Sequence, residues 1–388
     1  MNPDAPGQPA SSGAGVSTGT ISIVRGNPKR NRGRKVAVIG AGSWGTTFAK
    51  VLADAGCDVT IWARRPEVAQ EIQVAKRNTQ YLPGINLPKS LQATSEIDRA
   101  LRGAKLVFLA VPSQSLRDNL LELEPHLERD SVLVSLVKGV EKTTTMRMSE
   151  VIVDALDIDP ERVGVVSGPN IAHEIAKEQP TGAVASCSSL DVAQEIAIAC
   201  SAPYFRSYVN TDVVGTELGG VLKNLIALAI GIVDGVGYGE NTKAAIITRG
   251  LAEMIEFAVA QGADPTTLSG LAGLGDLIAT CQSPLSRNNT AGRLIGQGFS
   301  LEETKEQMQQ TAEGITSVAP VLELARERGI TMPIVEQVQM VLKGEMSPKN
   351  LAPHLATEDD VPKPELSLGG ERQGRWRRLF WRLKGETA

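Results

Sequence analysis

One lysine, Lys223, interrupts the otherwise uncharged stretch between Glu217 and Asp234. At helical spacing it shares a face with Gly219, Gly220, Ala227 and Ile230, since residues three and four apart are neighbours on a helix. The small residues leave room for something to reach the amine. Taking an ammonium out of water lowers its pKa, and a lysine tuned in that way can serve as general acid or base near neutrality. The same spacing also suits a lysine that snorkels from a half-buried helix, so spacing alone leaves both readings open. A second cluster lies in "SGLAGLGDLIATCQSPLSRN" (269–288), where Asp276 follows a glycine turn and Ser286, Arg287 and Asn288 stand together. A guanidinium beside hydroxyl and amide groups suits a phosphate dianion; a helix cap followed by a surface arginine is the alternative. Lys138, in "SLVKGVE", ends a predicted strand, and ligands of open α/β sheets bind at such ends. Its alternative is an exposed loop lysine.

"VAVIGAGSWGTTFA" (36–49) carries a different chemistry. Gly40, Gly42 and Gly45 form G-x-G-x-x-G directly after an apolar run and at the start of a small-residue helix. The first glycine permits a tight turn, the second admits a pyrophosphate to the backbone, and the third lets helix and strand pack closely. The free N–H groups and positive dipole end of the helix then favour the anion. The motif in this context predicts dinucleotide binding, against a glycine turn that serves packing alone. A NAD-specific site usually has an acid at the end of the second strand. Here "VTIWARR" ends in Arg64 and Arg65, so nothing repels a 2′-phosphate and a guanidinium can pair with one. The expected cofactor is NADP and/or NAD, with solvated loop arginines as the alternative.

These residues need elements to hold them. From Lys35 to about Asn210, short β-rich runs ("KVAVIG", "DVTIWA", "KLVFLAVP", "SVLVSLVKG", "VGVVSG", "GAVASC") alternate with amphipathic stretches. That alternation indicates a mostly parallel sheet covered on both faces. From about Thr211 helical periodicity takes over and strand signals nearly vanish. The expected architecture is an α/β Rossmann-like N-terminal domain with a mostly parallel sheet, plus an all-α C-terminal domain. The expected bounds are a disordered tail over 1–34, a dinucleotide domain over 35–213, a helical catalytic domain over 214–345 and a flexible tail over 346–388.

The chain of 388 residues suits about two domains. Its net charge of −4 offers no global basic field for nucleic acid. Four scattered cysteines, no C-x-x-C and three histidines point to free thiols and to no metal site. Residues 1–34 lack the continuous apolar core of a signal peptide, and a cytoplasmic location is expected, with an organelle transit peptide as the alternative. The run at 218–233 contains Lys223 and is short for a membrane span. Near the C-terminus, "RWRRLFWRLK" (375–384) places Trp376, Leu379, Phe380 and Leu383 on one helical face among arginines. Weak contact with a membrane surface is one reading; a disordered tail, or one docked on a partner subunit, is the other.

The order of these pieces resembles the bacterial-type NAD(P)-dependent glycerol-3-phosphate dehydrogenase family. The matching segments are "VIGAGSWGTTFA", "AVPSQSLR", "SLVKGVE", "VSGPNIAHE", "ELGGVLKNLIALAIGIVDG", "GLAGLGDLIATCQSPLSRN" and "TAEGITSV", over roughly residues 35–345. The resemblance implies a Rossmann domain followed by a helical domain. It implies reversible reduction of dihydroxyacetone phosphate to sn-glycerol 3-phosphate, a glycerophospholipid precursor, by a homodimer. It makes Lys223 the catalytic acid/base. Lys138, Gly168, Asn170, Lys223, Asp276, Ser286, Arg287 and Asn288 would contact the substrate. Ser43, Trp44, Arg64, Lys138, Ala172, Arg287, Thr311 and Glu313 would line the cofactor, beside the three glycines and Arg65. Other enzymes with this outline act on hydroxy acids or sugar acids and would need a carboxylate clamp. A non-catalytic dinucleotide sensor would leave the lysines and the triplet idle.

Overall fold

The apolar run Lys35–Ile39 forms strand β2, buried from Val36 onward. In the computed structural model, which describes residues 22–24, 31–308 and 312–351, it lies inside a nine-stranded sheet. The other strands are β1 (Ser22–Val24), β3 (Asp58–Trp62), β4 (Gln92–Thr94), β5 (Leu106–Leu109), β6 (Val132–Ser135), β7 (Val163–Ser167), β8 (Thr181–Ser186) and β9 (Phe205–Asn210). Their order is β1-β9-β8-β7-β6-β5-β2-β3-β4. From β4 to β7 every pair is parallel. β8 then runs antiparallel to β7, β9 parallel to β8, and β1 antiparallel to β9.

The parallel strands read as continuous apolar runs because both faces are covered. Side chains alternate across the sheet. Val36 and Val38 pack with Phe48 of helix α1 (Ser43–Asp54). Ala37 and Ile39 pack on the other face with Leu116 and Leu120 of α2 (Leu116–Leu123) and Val151 of α3 (Met148–Leu156). The register sets Ile39 level with Trp62 and Leu109. Gly40, Ala63 and Ala110 therefore leave the sheet at one edge. The chain runs from β2 to β3 on one side and on to β5 on the other, which makes this edge a topological switch point. A short helix α4 (Ala172–Ala176) follows β7.

Helix α5 (Val213–Val236) organises the second half. The Asp212 side chain caps it by accepting from Gly215 N–H, and Gly237 ends it in the left-handed region with φ 97°. It is the one helix among the described residues long and apolar enough to cross a membrane. It is apolar on every side because it is buried on every side, as the axis of a helical core. Around it lie α6 (Glu240–Val259), α7 (Asp276–Gln282), α8 (Arg287–Gly296) and α9 (Glu313–Glu327).

Three departures from the sequence reading are visible. Ser22–Val24, inside the expected disordered tail, pairs with Ser207–Val209 at the sheet edge. β4 and β9 are strands that the apolar runs did not flag: β4 has only three residues, and β9 carries Arg206, Ser207 and Asn210 among its apolar positions. At the other end, Leu351 is fully buried in the helical core, so packing continues past residue 345. Thr311 and the segment 375–384 lie outside the described residues.

Candidate active site

The glycine turn sits at the switch point. Gly40 has φ 108°, and a Cβ there would lie 2.5 Å from the Ala110 carbonyl oxygen. A Cβ on Gly45 would lie 1.9 Å from the Gly40 carbonyl oxygen. Both glycines are thus required by the fold itself. Gly42 is different: a Cβ on it would meet nothing within 4 Å. The space left bare there is at the N-terminus of α1, whose cap makes no side-chain hydrogen bond and whose first turn holds no acid. Nearby, Trp44 Nε1 and both amide atoms of Asn170 are buried without a hydrogen-bond partner among the described residues. A dinucleotide phosphate fits this cradle.

The turn opens on a cleft of about 1080 Å³ that both halves of the chain line. Across it lies a buried charge cluster. Lys223, on α5, is only 7% exposed, so it does not snorkel. Its Nζ donates to Asp276 Oδ1 at 2.8 Å and to Thr280 Oγ1 at 2.6 Å. Asp276 Oδ2 accepts from Lys138 Nζ at 2.6 Å. One buried carboxylate is therefore shared by two lysines, one from each half of the chain. Burial pushes the Lys223 amine down to about 8; Asp276 opposes the shift and the Lys138 charge adds to it. Lys138 also donates to the Gly168 carbonyl at 3.1 Å. Gly168 does not line the cleft, so the structure places this expected substrate contact one layer back, behind Lys138.

The triplet sits at the start of α8, beside the same cleft. Ser286 is its N-cap, its hydroxyl accepting from Asn289 N–H at 3.2 Å. The Asn288 amide is occupied at both ends: Nδ2 donates to Asn224 Oδ1 and Oδ1 accepts from Gly314 N–H, both at 2.8 Å. What faces outward is the helix start, with its first-turn N–H groups, and the exposed side chain of Arg287. Glu313, first residue of α9, accepts from Ser113 Oγ at 2.8 Å across the two halves.

At the far end of the cleft stand Arg64 and Arg65. Arg65 stacks on Tyr81, 5.6 Å from the ring, and donates to Tyr81 Oη and Gln80. The Ser43 hydroxyl donates to the Tyr81 carbonyl. Ala172, where α4 starts, is tied to α1 by Thr47, whose hydroxyl donates to its carbonyl at 3.3 Å. Among the described residues, every expected site residue except Gly168 thus lines the cleft. Sequence reasoning missed Thr280, Asn224 and Ser113. Thr280 had a signal: it stands four residues after Asp276, on the same helical face.

A parallel sheet with a glycine-rich switch-point turn, facing a buried lysine and carboxylate from a helical half, defines a two-domain dinucleotide-dependent oxidoreductase. Residues 35–193 match the model of the NAD-dependent glycerol-3-phosphate dehydrogenase N-terminus, and residues 212–353 match that of its C-terminus. The chain belongs to this family. It is 63% identical over 348 residues to the glycerol-3-phosphate dehydrogenase [NAD(P)+] of Leifsonia xyli subsp. xyli, covering 89% of this chain and 94% of the relative. The Streptomyces griseus enzyme of the same name is 55% identical over 329 residues, 85% of this chain and 98% of the relative. Among solved structures, the Coxiella burnetii glycerol-3-phosphate dehydrogenase aligns with a TM-score of 0.80 at 33% identity, over 84% of this chain and 99% of that one.

Proposed function

We propose that the chain catalyses the reversible NAD(P)-dependent conversion of dihydroxyacetone phosphate to sn-glycerol 3-phosphate, with Lys223 as the general acid/base. The observation that carries this reading is the Lys223–Asp276–Lys138 cluster, buried on the wall of the cleft that the glycine turn opens. When bound, the nicotinamide supplies or accepts the hydride. The protein supplies the proton: Lys223 as ammonium donates to the carbonyl oxygen of dihydroxyacetone phosphate, and as free amine removes the hydroxyl proton of glycerol 3-phosphate. An amine depressed to about 8 populates both forms near neutrality. Lys138 holds positive charge beside the oxygen as negative charge develops there. Asp276 fixes the distance between the two amines. Arg287 and the start of α8 clamp the phosphate, which turns remote binding into alignment of the reacting carbon. Arg64 and Arg65 take the ribose end of the cofactor, so that NADP is accepted.

The decisive experiment is oxidation of NADPH and of NADH with dihydroxyacetone phosphate, wild type against Lys223→Ala. The variant should lose about 10²–10⁴-fold in kcat, the usual worth of acid/base assistance, with the dissociation constant for either cofactor unchanged. Near-native turnover would remove Lys223 from the chemistry.

A further inference from the structure

The two arginines at the ribose end are held in different ways. Arg65 is on the surface, its side chain 45% exposed, within 3.7 Å of Glu67 and against Gln80 and Tyr81. Arg64 is exposed too, but it is held by buried partners. Its guanidinium lies 5.9 Å from the Trp62 ring, and its Nη2 donates to Asn119 Oδ1 at 2.9 Å. Trp62 is 4% exposed and pinned by its own bond from Nε1 to the Ser95 carbonyl at 3.1 Å. Asn119 is 2% exposed, on the first turn of α2.

The orientation of the Asn119 amide follows from its neighbours. Its Nδ2 donates to the Ser115 carbonyl. A carbonyl can only accept and a guanidinium can only donate. The amide therefore has one consistent setting, with Oδ1 toward Arg64. Arg64 follows β3 and α2 follows β5, and β2 lies between those strands. The bond thus spans the end of the strand that carries the glycine turn, over the place where a bound adenosine ribose lies in this fold. Asn119 is neutral and takes one N–H of a five-donor fork. It fixes the guanidinium without cancelling its charge, and leaves the remaining donors for a ligand.

We propose that Asn119 is a specificity-positioning residue: it holds Arg64 in place to pair with the 2′-phosphate, and so sets the preference for NADPH over NADH. This rests on the reading that Arg64 faces the ribose 2′ position.

The test measures kcat/KM and dissociation constants for NADPH and NADH in Asn119→Leu, Asn119→Ser, Arg64→Ala and the Arg64→Ala/Asn119→Leu double variant. Leucine keeps the buried volume. Serine keeps the Ser115 carbonyl satisfied, since a helical serine bonds to the carbonyl four residues back, and removes only the arm to Arg64. Both single Asn119 variants should lose about tenfold or more in NADPH efficiency, the worth of one bond to a charged group, with NADH efficiency within about twofold of wild type. The double variant should be no worse with NADPH than Arg64→Ala alone. If Arg64→Ala lowers NADPH efficiency while the Asn119 variants do not, the inference is overturned and the reading of Arg64 stands. If both Asn119 variants lose NADPH and NADH activity equally, Asn119 is only structural and the inference is overturned. An unchanged NADPH-to-NADH ratio in Arg64→Ala overturns the reading and the inference with it.

Discussion

A buried lysine is useful only if its proton affinity is held in range, and burial and two charged neighbours do that for Lys223. Burial lowers it, Asp276 raises it, and Lys138 lowers it further, leaving it about 8. The direction of pH dependence follows. Reduction needs the ammonium, so kcat/KM for dihydroxyacetone phosphate should fall as pH rises through about 8. Oxidation of glycerol 3-phosphate needs the free amine, so it should rise through the same region. Thr280 touches both charged groups: its hydroxyl accepts from the Lys223 amine at 2.6 Å and donates to Asp276 Oδ1 at 3.1 Å. A hydrogen bond to the charged form favours that form. Thr280→Val keeps the shape and removes the acceptor, so the Lys223 pKa should drop by about one unit. Both pH profiles should then shift to lower pH by that amount. Profiles that superimpose on wild type would show that Thr280 takes no part in the balance.

Where Lys223 and Arg287 stand relative to each other is decided by how two helices cross. α5 and α8 meet backbone to backbone through four glycines. A Cβ on Gly231 would lie 2.2 Å from the Asn289 carbonyl oxygen, and one on Gly235 2.2 Å from that of Arg293. From the other side, a Cβ on Gly292 would lie 2.2 Å from the Leu228 carbonyl oxygen and one on Gly296 2.1 Å from that of Ile232. No flexible side chain is there to give way. Gly292→Ala gains about 1 kcal/mol of helix propensity but overpacks a rigid contact, at a cost of about 1–3 kcal/mol. The variant should melt lower, and its KM for the phosphorylated substrate should rise as Arg287 is pushed away from Lys223. Wild-type melting and KM together would mean that the crossing tolerates a methyl group. The sequence showed these glycines only as small residues, two in an apolar helix and two in a polar one, because a crossing is a property of two segments far apart in the chain. The glycine turn and the parallel strands were legible, since each is a local pattern. Lys223 stood out because a lone charge in an apolar helix is conspicuous. Asn119 and Thr280 did not, because a polar residue in an amphipathic helix looks like surface until its burial is known. β4 and β9 escaped for a related reason: a strand completed by its neighbours, with polar residues along it, needs no apolar run of its own.

At the scale of the whole molecule the chemistry depends on keeping two halves in register, since Asp276 and Lys223 come from one and Lys138 from the other. Beside the Lys138–Asp276 pair itself, a second tie is Glu217, six residues before Lys223 on α5, whose side chain is fully buried. It accepts from Ser149 N–H at 2.8 Å, from Ser149 Oγ at 2.6 Å and from Arg147 Nη1 at 2.8 Å. Those donors belong to the start of α3, which the loop from Lys138 leads into. The carboxylate thus docks on a helix N-terminus, where negative charge is favoured, and fixes the Lys138 loop against the Lys223 helix. Removing it leaves Arg147 with Glu150, 2.7 Å away, as its remaining carboxylate partner, and leaves the buried Ser149 N–H without its acceptor. Leaving a buried donor unsatisfied in this way typically costs about 1–3 kcal/mol. Glu217→Ala should therefore lower the melting temperature, and it should also reduce kcat and raise KM for dihydroxyacetone phosphate. The glycine turn, Arg64 and Arg65 lie wholly in the N-terminal half, so the dissociation constant for NADPH should stay within about twofold, a change of about 0.4 kcal/mol. Glu217→Gln, which keeps one acceptor for Ser149 N–H, should fall between the two in both melting and turnover. A Glu217→Ala enzyme that melts early yet turns over normally would mean that the lysines hold their register without this tie. A loss of NADPH affinity would mean that the damage spreads into the dinucleotide half, and that the two halves are not separable in the way their contacts imply.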